Sequence, residues 1–350
     1  MNDEKQMILN MLKEGKITVE EASDLIEALG KNNRKNDNLT DKITGAVDNI
    51  IKRATDTIQS IDLDQTLDLS QFNIKGDYNT QKETRIDDEI NHIEIDIVNG
   101  DIEVDRSDDN SIVISQSIWA KKADLNDFID IEVKEDILTI SINENYKNIQ
   151  ASSDIRVSLG KNLYDSLDIN QVNGKVDISD VDFTNLDLNN VNGKILLINI
   201  KGAVNVNNVN GKIDVKNIFG PVDIENVNGP IYLYNISGEY ADVSTVNGNI
   251  RVDGLASDKL KAKSNAGNIR VFNIKNTKDI DLDSGFGNMV VDTTDFDGVI
   301  RANVESKAIN ITEKFANKIQ DGKGYEISTS TEEPDLRIKI DSSFGKISLR

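Results

Sequence analysis

The tripeptide Val-Asn-Gly recurs along this chain at Val98-Asn99-Gly100, Val172-Asn173-Gly174, Val191-Asn192-Gly193, Val209-Asn210-Gly211, Val227-Asn228-Gly229 and Val246-Asn247-Gly248, the last five at steps of 18 or 19 residues. A fixed short period marks a stacked architecture, because each unit can bury its apolar face only against its neighbours. Around the tripeptide the apolar residues alternate with polar ones, which is the spacing of a β-strand. One unit reads Leu186, Leu188, Val191, Ile195, Leu197, Ile200, and the clean units run from Leu167 to Leu255. Counting the valine, each unit offers six apolar positions for an interior. Two later units are degenerate and turn at Asn265-Ala266-Gly267 and Gly285-Phe286-Gly287, and Ser343-Phe344-Gly345 echoes the second of these. Loss of the pattern toward one end is what capping units would produce.

Asn-Gly between alternating strands is also the strongest short hairpin signal, so a meander of hairpins has to be weighed against coils. The recurrence of one side chain at one place in every unit favours coils, since it stacks like on like at the strand spacing of about 4.8 Å. Six apolar positions split by corners also fit a closed rung better than a flat meander with one bare face. The expected fold is mainly β, a repetitive β-solenoid of 18–19 residues per coil over residues 86–350, with a small α-helical module before it.

In a coil, glycine supplies the positive φ of a tight corner. The asparagine before it tolerates the same region and can pass amide hydrogen bonds to its counterparts above and below. The expected site is therefore a structural corner ladder: Asn99, Gly100, Asn173, Gly174, Asn192, Gly193, Asn210, Gly211, Asn228, Gly229, Asn247 and Gly248. A row of amides that binds a glycan or an ion is the functional alternative.

Residues 1–30 read as a helical hairpin. Met7, Ile8, Met11 and Leu12 fall at helical spacing before Gly15, and Thr18 with Glu21 forms a capping box ahead of Ala22, Leu25, Ile26 and Leu29. So small a unit must dock on something. Residues 31–85 read as a linker, an amphipathic helix and a polar connector, the helix carrying Leu39, Ile43, Val47, Ile50, Ala54, Ile58 and Ile61. Its polar face mixes acids and bases, so it is expected to pack on the solenoid or a partner helix rather than on a membrane.

A net charge of −21 over 350 residues excludes nucleic acid as the expected ligand. It leaves cationic partners open. No cysteine is present, so disulfides and thiolate chemistry are excluded, and the single histidine, His92, reads as an outward surface residue. The acidic triplets Asp177, Asp180, Asp182 and Asp279, Asp281, Asp283 are the residues that a carbohydrate-cleaving coil would use. Alternation explains them more simply as the solvated face of strands. Trp119 with Phe128 reads as core. No catalytic, cofactor or metal site is expected. The N-terminus lacks the basic and apolar regions of a secretion signal, so the expected location is cytoplasmic, with membrane association through a partner, and surface exposure is left open.

Two motifs carry a resemblance. The opening Ile8-Leu9-Asn10-Met11-Leu12-Lys13-Glu14-Gly15-Lys16-Ile17-Thr18-Val19-Glu20-Glu21-Ala22 resembles the SHOCT-like helical module of the LiaX and YvlB-like proteins of Gram-positive bacteria. The Val-Asn-Gly repeats resemble their LiaG-related β-repeat domain, a candidate adhesin domain. The resemblance implies a non-enzymatic role in sensing or answering cell-envelope stress. It implies a protein partner such as a membrane-bound regulator or a cationic peptide, and the N-terminal helices offer a route to self-association. Direct membrane contact stays open. The rival expectations are a surface adhesin that binds glycans and, behind it, a carbohydrate-active enzyme.

Overall fold

The computed structural model describes residues 78–350 apart from 109, 121–124, 147, 148, 150, 307, 322 and 323. The expected helical hairpin of residues 1–30 and the amphipathic helix of residues 39–61 lie outside the described residues. The stretch read as a polar connector ends inside a strand, because β1 spans Tyr78–Ile86. It is followed by β2 His92–Asn99, β3 Ile102–Arg106, β4 Ile112–Ala120, β5 Ile129–Lys134, β6 Ile137–Ile142 and β7 Ala151–Leu159. The regular part comprises β8 Tyr164–Asn173, β9 Val176–Ser179, β10 Asp182–Asn192, β11 Ile195–Asn210, β12 Ile213–Phe219, β13 Val222–Asn228, β14 Ile231–Asn247, β15 Ile250–Ala266, β16 Ile269–Ile274, β17 Asp279–Phe286 and β18 Met289–Val291. The last strands are β19 Ile300–Glu305, β20 Ala308–Ile311, β21 Asn317–Asp321, β22 Gly324–Ser328, β23 Leu336–Phe344 and β24 Lys346–Leu349.

The coil reading is the correct one. Successive units pair in parallel, like residue on like: Leu186 opposes Leu167 on one side and Val204 on the other, and Asn192 opposes Asn173 and Asn210. Each rung has a first side that ends at the Asn-Gly corner and a second side that begins after it. The glycines are corners between these sides, not tips of antiparallel ribbons.

The interior differs from the sequence reading at one position. Leu186, Leu188, Ile195, Leu197 and Ile200 are fully buried, but Val191 of the tripeptide is only half-buried. The residue pointing inward there is the one before it. Counting by twos from Leu186 and Leu188 lands on Asn190, which has no exposed surface. The strand pleat fixes which side chain faces in, and polarity does not override it. Each of the clean rungs from Leu167 to Ile236 therefore buries five aliphatic side chains and one polar group. Val246, 8% exposed, is the exception among the tripeptide valines.

Both ends of the stack depart from chain order. The rung of β2 and β3 receives β8 and β9 on one side and β6 and β7 on the other, although β6 and β7 come later in the chain. At the other end β23 lies between β17 and β19, and β24 lies between β18 and β20. The Phe344-Gly345 corner thus belongs to an inserted rung, and the outermost one is made by β19 and β20. Antiparallel strands cover both ends, with β4 on β7, β1 on β4 and β5 on β6, and at the far end β22 on β19 and β21 on β22. A stack of parallel rungs would otherwise present open edges that invite further chains, and an antiparallel cover blunts them.

Candidate functional site

The corner residues predicted from sequence come together in one line. Asn173 Nδ2 donates to Asn99 Oδ1 at 2.9 Å, Asn192 to Asn173 at 2.9 Å, Asn210 to Asn192 at 2.9 Å, Asn228 to Asn210 at 2.9 Å and Asn247 to Asn228 at 3.0 Å. Every interior member gives one amide proton and receives one. Each interior asparagine thus spends one of its two amide protons and one of the two lone pairs of its oxygen within the ladder. Beyond Asn247 the row continues through Ala266 to Phe286 and Phe344.

The glycine of each corner is required by proximity, and at Gly100, Gly174, Gly211 and Gly229 by a positive φ as well. A Cβ built on Gly193 would stand 1.7 Å from the carbonyl oxygen of Gly174, although Gly193 lies outside the left-handed region that Gly174 occupies at φ 145°. The glycine amides carry the main-chain ladder onward, as Gly174 N–H donates to Asn192 O at 2.9 Å and Gly193 N–H to Asn210 O at 2.9 Å. A side chain here would push two rungs apart.

Two further polar rows escaped the sequence reading. Inside the corner lie Gln171, Asn190, Asn208, Asn226, Thr245, Ser264, Ser284 and Ser342, all buried. They serve the corner carbonyls: Gln171 donates to Gly100 O, Asn190 to Gly174 O at 3.2 Å, Asn226 to Gly211 O at 2.9 Å, and the Ser264 hydroxyl to Gly248 O at 2.9 Å. Period-two counting was the signal for this row. The second row marks the other bend. Asp180, Asn199, Asn217 and Asn235 sit at φ 58°, 55°, 55° and 55°, linked by hydrogen bonds of 2.7, 2.7 and 3.0 Å. Its signal was the recurrence of Asn-Ile at Asn199-Ile200, Asn217-Ile218 and Asn235-Ile236, since asparagine is the side chain that best tolerates the left-handed region after glycine.

The acidic candidates are distributed along outward rows. Asp177 pairs with Lys175, and Asp180 accepts from Asn199 at the bend. Asp279, Asp281 and Asp283 alternate outward on β17, with Asp281 3.9 Å from Lys339 and Asp283 3.7 Å from Lys263. His92 is half-buried, its Nδ1 3.1 Å from Ser166 Oγ. Phe128 is core, whereas Trp119 is half-buried on the covering strand β4. Two carboxyls are held above their ordinary value of 3.8. Asp96 is raised by burial, against the Asn170 hydrogen bond, with Glu94 and Asp168 adding to it. Asp341 is raised by burial and then by Asp283 and Glu305, its neighbours in the same row.

Among the described residues the outer faces carry grooves. One, of about 550 Å³, runs from β14 across β15, β17 and β23 to β19 and is lined by charges of both signs that include Lys261, Asp281, Arg337 and Lys339. Another, of about 390 Å³, lies after the Asn-Gly corners and is lined by Tyr232, Tyr234, Asn249, Arg251, Asn268 and Arg270.

A Toastrack DUF4097 family model matches residues 90–350, and a SHOCT-like domain model matches residues 3–34, the segment read as a helical hairpin. No curated protein matches the chain. Among solved structures it is similar to a candidate adhesin from Bacteroides fragilis, at 15% identity and TM-score 0.40, covering 79% of this chain and 99% of that one. A candidate adhesin from Parabacteroides merdae matches at 13% identity and TM-score 0.38, covering 79% and 98%. A candidate cell adhesion protein from Clostridium sporogenes matches at 11% identity and TM-score 0.24, covering 78% and 99%.

Proposed function

This chain belongs to the Toastrack DUF4097 family, and from that premise we propose that it is a non-enzymatic binding scaffold of the cell-envelope stress response, which engages a protein partner through its N-terminal segment. The observation that carries the reading is the stack of in-register rungs, each locked to the next by main-chain bonds and, from Asn99 to Asn247, by an asparagine as well. Such a body holds rows of side chains at one spacing of about 4.8 Å over its whole length, which is what a recognition surface needs and a catalytic cleft does not. The match of residues 3–34 to a SHOCT-like domain supports a separate small module at the N-terminus. In this reading the module docks or switches and the solenoid presents. Location on the cytoplasmic side, with a membrane-bound regulator or a cationic peptide as partner, belongs to the same proposal.

The test is co-purification of the tagged full-length chain from cells before and after treatment with a cell-wall antibiotic, beside the variant carrying Leu25→Asp and Ile26→Asp. Raised expression on treatment, with a membrane protein retained by the native chain and lost from the variant, is the expected result. Recovery of the chain on the outside of intact cells, with no partner that depends on the N-terminal segment, would replace this reading with the adhesin one.

A further inference from the structure

The groove after the Asn-Gly corners is built differently from the rest of the surface. Across three successive rungs Tyr232, Arg251 and Arg270 occupy one row, and Tyr234, Asp253 and Phe272 occupy the next. The outward positions on this face are elsewhere mostly small or charged, so the tyrosines and Phe272 concentrate aromatic surface on it. The cations there are unequally engaged. Lys212 lies 4.7 Å from the Tyr232 ring centroid and 3.0 Å from Asp214, and Arg251 is held by Asp253 at 2.6 Å while lying 4.6 Å from the Phe272 centroid. Arg270 is exposed and has no ion pair among the described residues. One guanidinium is thus left uncompensated at the edge of an aromatic groove.

Along the remaining wall the asparagines are fixed. Asn249 Oδ1 receives both the main-chain N–H of Asn268, at 2.8 Å, and its side-chain amide, at 3.1 Å. Asn268 Oδ1 in turn receives the main-chain N–H of Asn288 at 2.9 Å. These bonds orient the amides along the groove without exhausting their protons.

We propose that this groove is a binding subsite for a carboxylate-bearing saccharide, whose ring lies against Tyr232 and Tyr234, whose hydroxyls meet the Asn249 and Asn268 amides, and whose carboxylate pairs with Arg270. Aromatic rings offer an apolar yet hydrogen-bonding surface, the remaining amide protons donate to hydroxyl oxygens, and guanidinium matches carboxylate through a two-pronged hydrogen bond. A volume of about 390 Å³ falls in the range of roughly 300–1,000 Å³ typical of small-molecule sites. The groove follows the stack, so a linear glycan acid lies along it with successive sugars over successive rungs.

The experiment is titration calorimetry of the full chain with an oligogalacturonate, and in parallel with its methyl ester, which keeps the sugar and removes the charge. The native chain is expected to bind the acid saturably and the ester more weakly. Arg270→Gln should weaken the acid at least tenfold and leave the ester unchanged, because it removes only the charge contact at an exposed position. Tyr234→Ala should weaken both, while Phe219→Ala, an exposed aromatic away from the groove, should weaken neither. Absence of saturable binding by the native chain at millimolar probe, or acid binding indifferent to Arg270→Gln, overturns the proposal. Either result is independent of whether the N-terminal segment recruits a protein, so the two readings fail separately.

Discussion

The rings of Phe286 and Phe344 stack with centroids 5.1 Å apart and planes within 5°, although one ends β17 and the other ends β23. They occupy the row in which Asn99 to Asn247 form the amide ladder, so two aromatic rings continue at one end what hydrogen bonds do through the middle. The contact exists because β23 inserts beside β17 while the intervening chain builds the outer rung. Stacked pairs add about 0.5–1.5 kcal/mol beyond area burial. A double-mutant cycle of Phe286→Ala and Phe344→Ala, read by denaturant unfolding, should return a coupling in that range. A coupling near zero would place the inserted rung elsewhere.

Gly193→Ala tests the corner by its tightest contact. The added methyl meets the Gly174 carbonyl at 1.7 Å, and the clash is with backbone, which cannot swing aside. Overpacking of this kind typically costs about 1–3 kcal/mol, and here the main-chain bonds of both adjoining rungs are strained as well. The expected loss is at the top of that range or above, seen as a fall in unfolding midpoint, with failure to fold as the extreme.

Asn210→Ala removes one donated and one accepted ladder bond, whereas Asn247→Ala removes only the donated bond to Asn228. With a net value of about 0.5–1.5 kcal/mol per hydrogen bond, the mid-ladder change should cost about twice the terminal one. Chemical unfolding of both variants measures the ratio. Equal losses would mean that the ladder contributes register rather than stability.

Asp341 stands between Asp283 and Glu305 in one row, and burial with these two neighbours raises its carboxyl above the ordinary 3.8 while Lys339 offsets part of the effect. A carboxyl that titrates higher in the folded chain than in the unfolded one is charged at a cost to the native state at neutral pH. That cost is relieved as pH falls through the folded-state value. Asp341→Asn should therefore raise the unfolding midpoint at pH 7, and its advantage should vanish below the ordinary carboxylate range. A variant advantage that persists in acid would point to packing instead.

The inward polar row allows a sharper test of packing. Asn190 gives its amide to Gly174 O, while its Oδ1 has no protein partner and no exposed surface. Thr245 fills the same place two clean units beyond Asn208 with a single hydroxyl. Asn190→Thr should accordingly be neutral within about 0.5 kcal/mol or stabilising, and Asn190→Ala should lose about 1–3 kcal/mol by stranding the carbonyl. Thermal unfolding distinguishes them.

Much of this was legible without coordinates because it is local and repeated. The glycine at each corner and the asparagine before it state one geometric demand six times over, four times at a step of 18 or 19 residues, and the parallel pairing of Asn99 through Asn247 meets it. Other parts were legible but misread. The apolarity of Val191 suggests an inward place, but alternation from Leu188 gives that place to Asn190. The row of Asn199, Asn217 and Asn235 recurs at the same period as the corner asparagines and was overshadowed by them.

The rung is written into the chain residue by residue: its length, its corners and the aliphatic residues that fill it are all set by interactions between a residue and its counterpart one period away. The order of the rungs at both ends and the company kept by the outward side chains emerge only once distant strands have paired. Nothing local makes β23 pair with β17 before β19 does, or leaves Arg270 uncompensated beside Tyr232 and Tyr234 while Arg251 is taken by Asp253. Those outcomes depend on which strands meet across long stretches of chain, where the gain from burying an open edge outweighs the entropy of closing the loop between them.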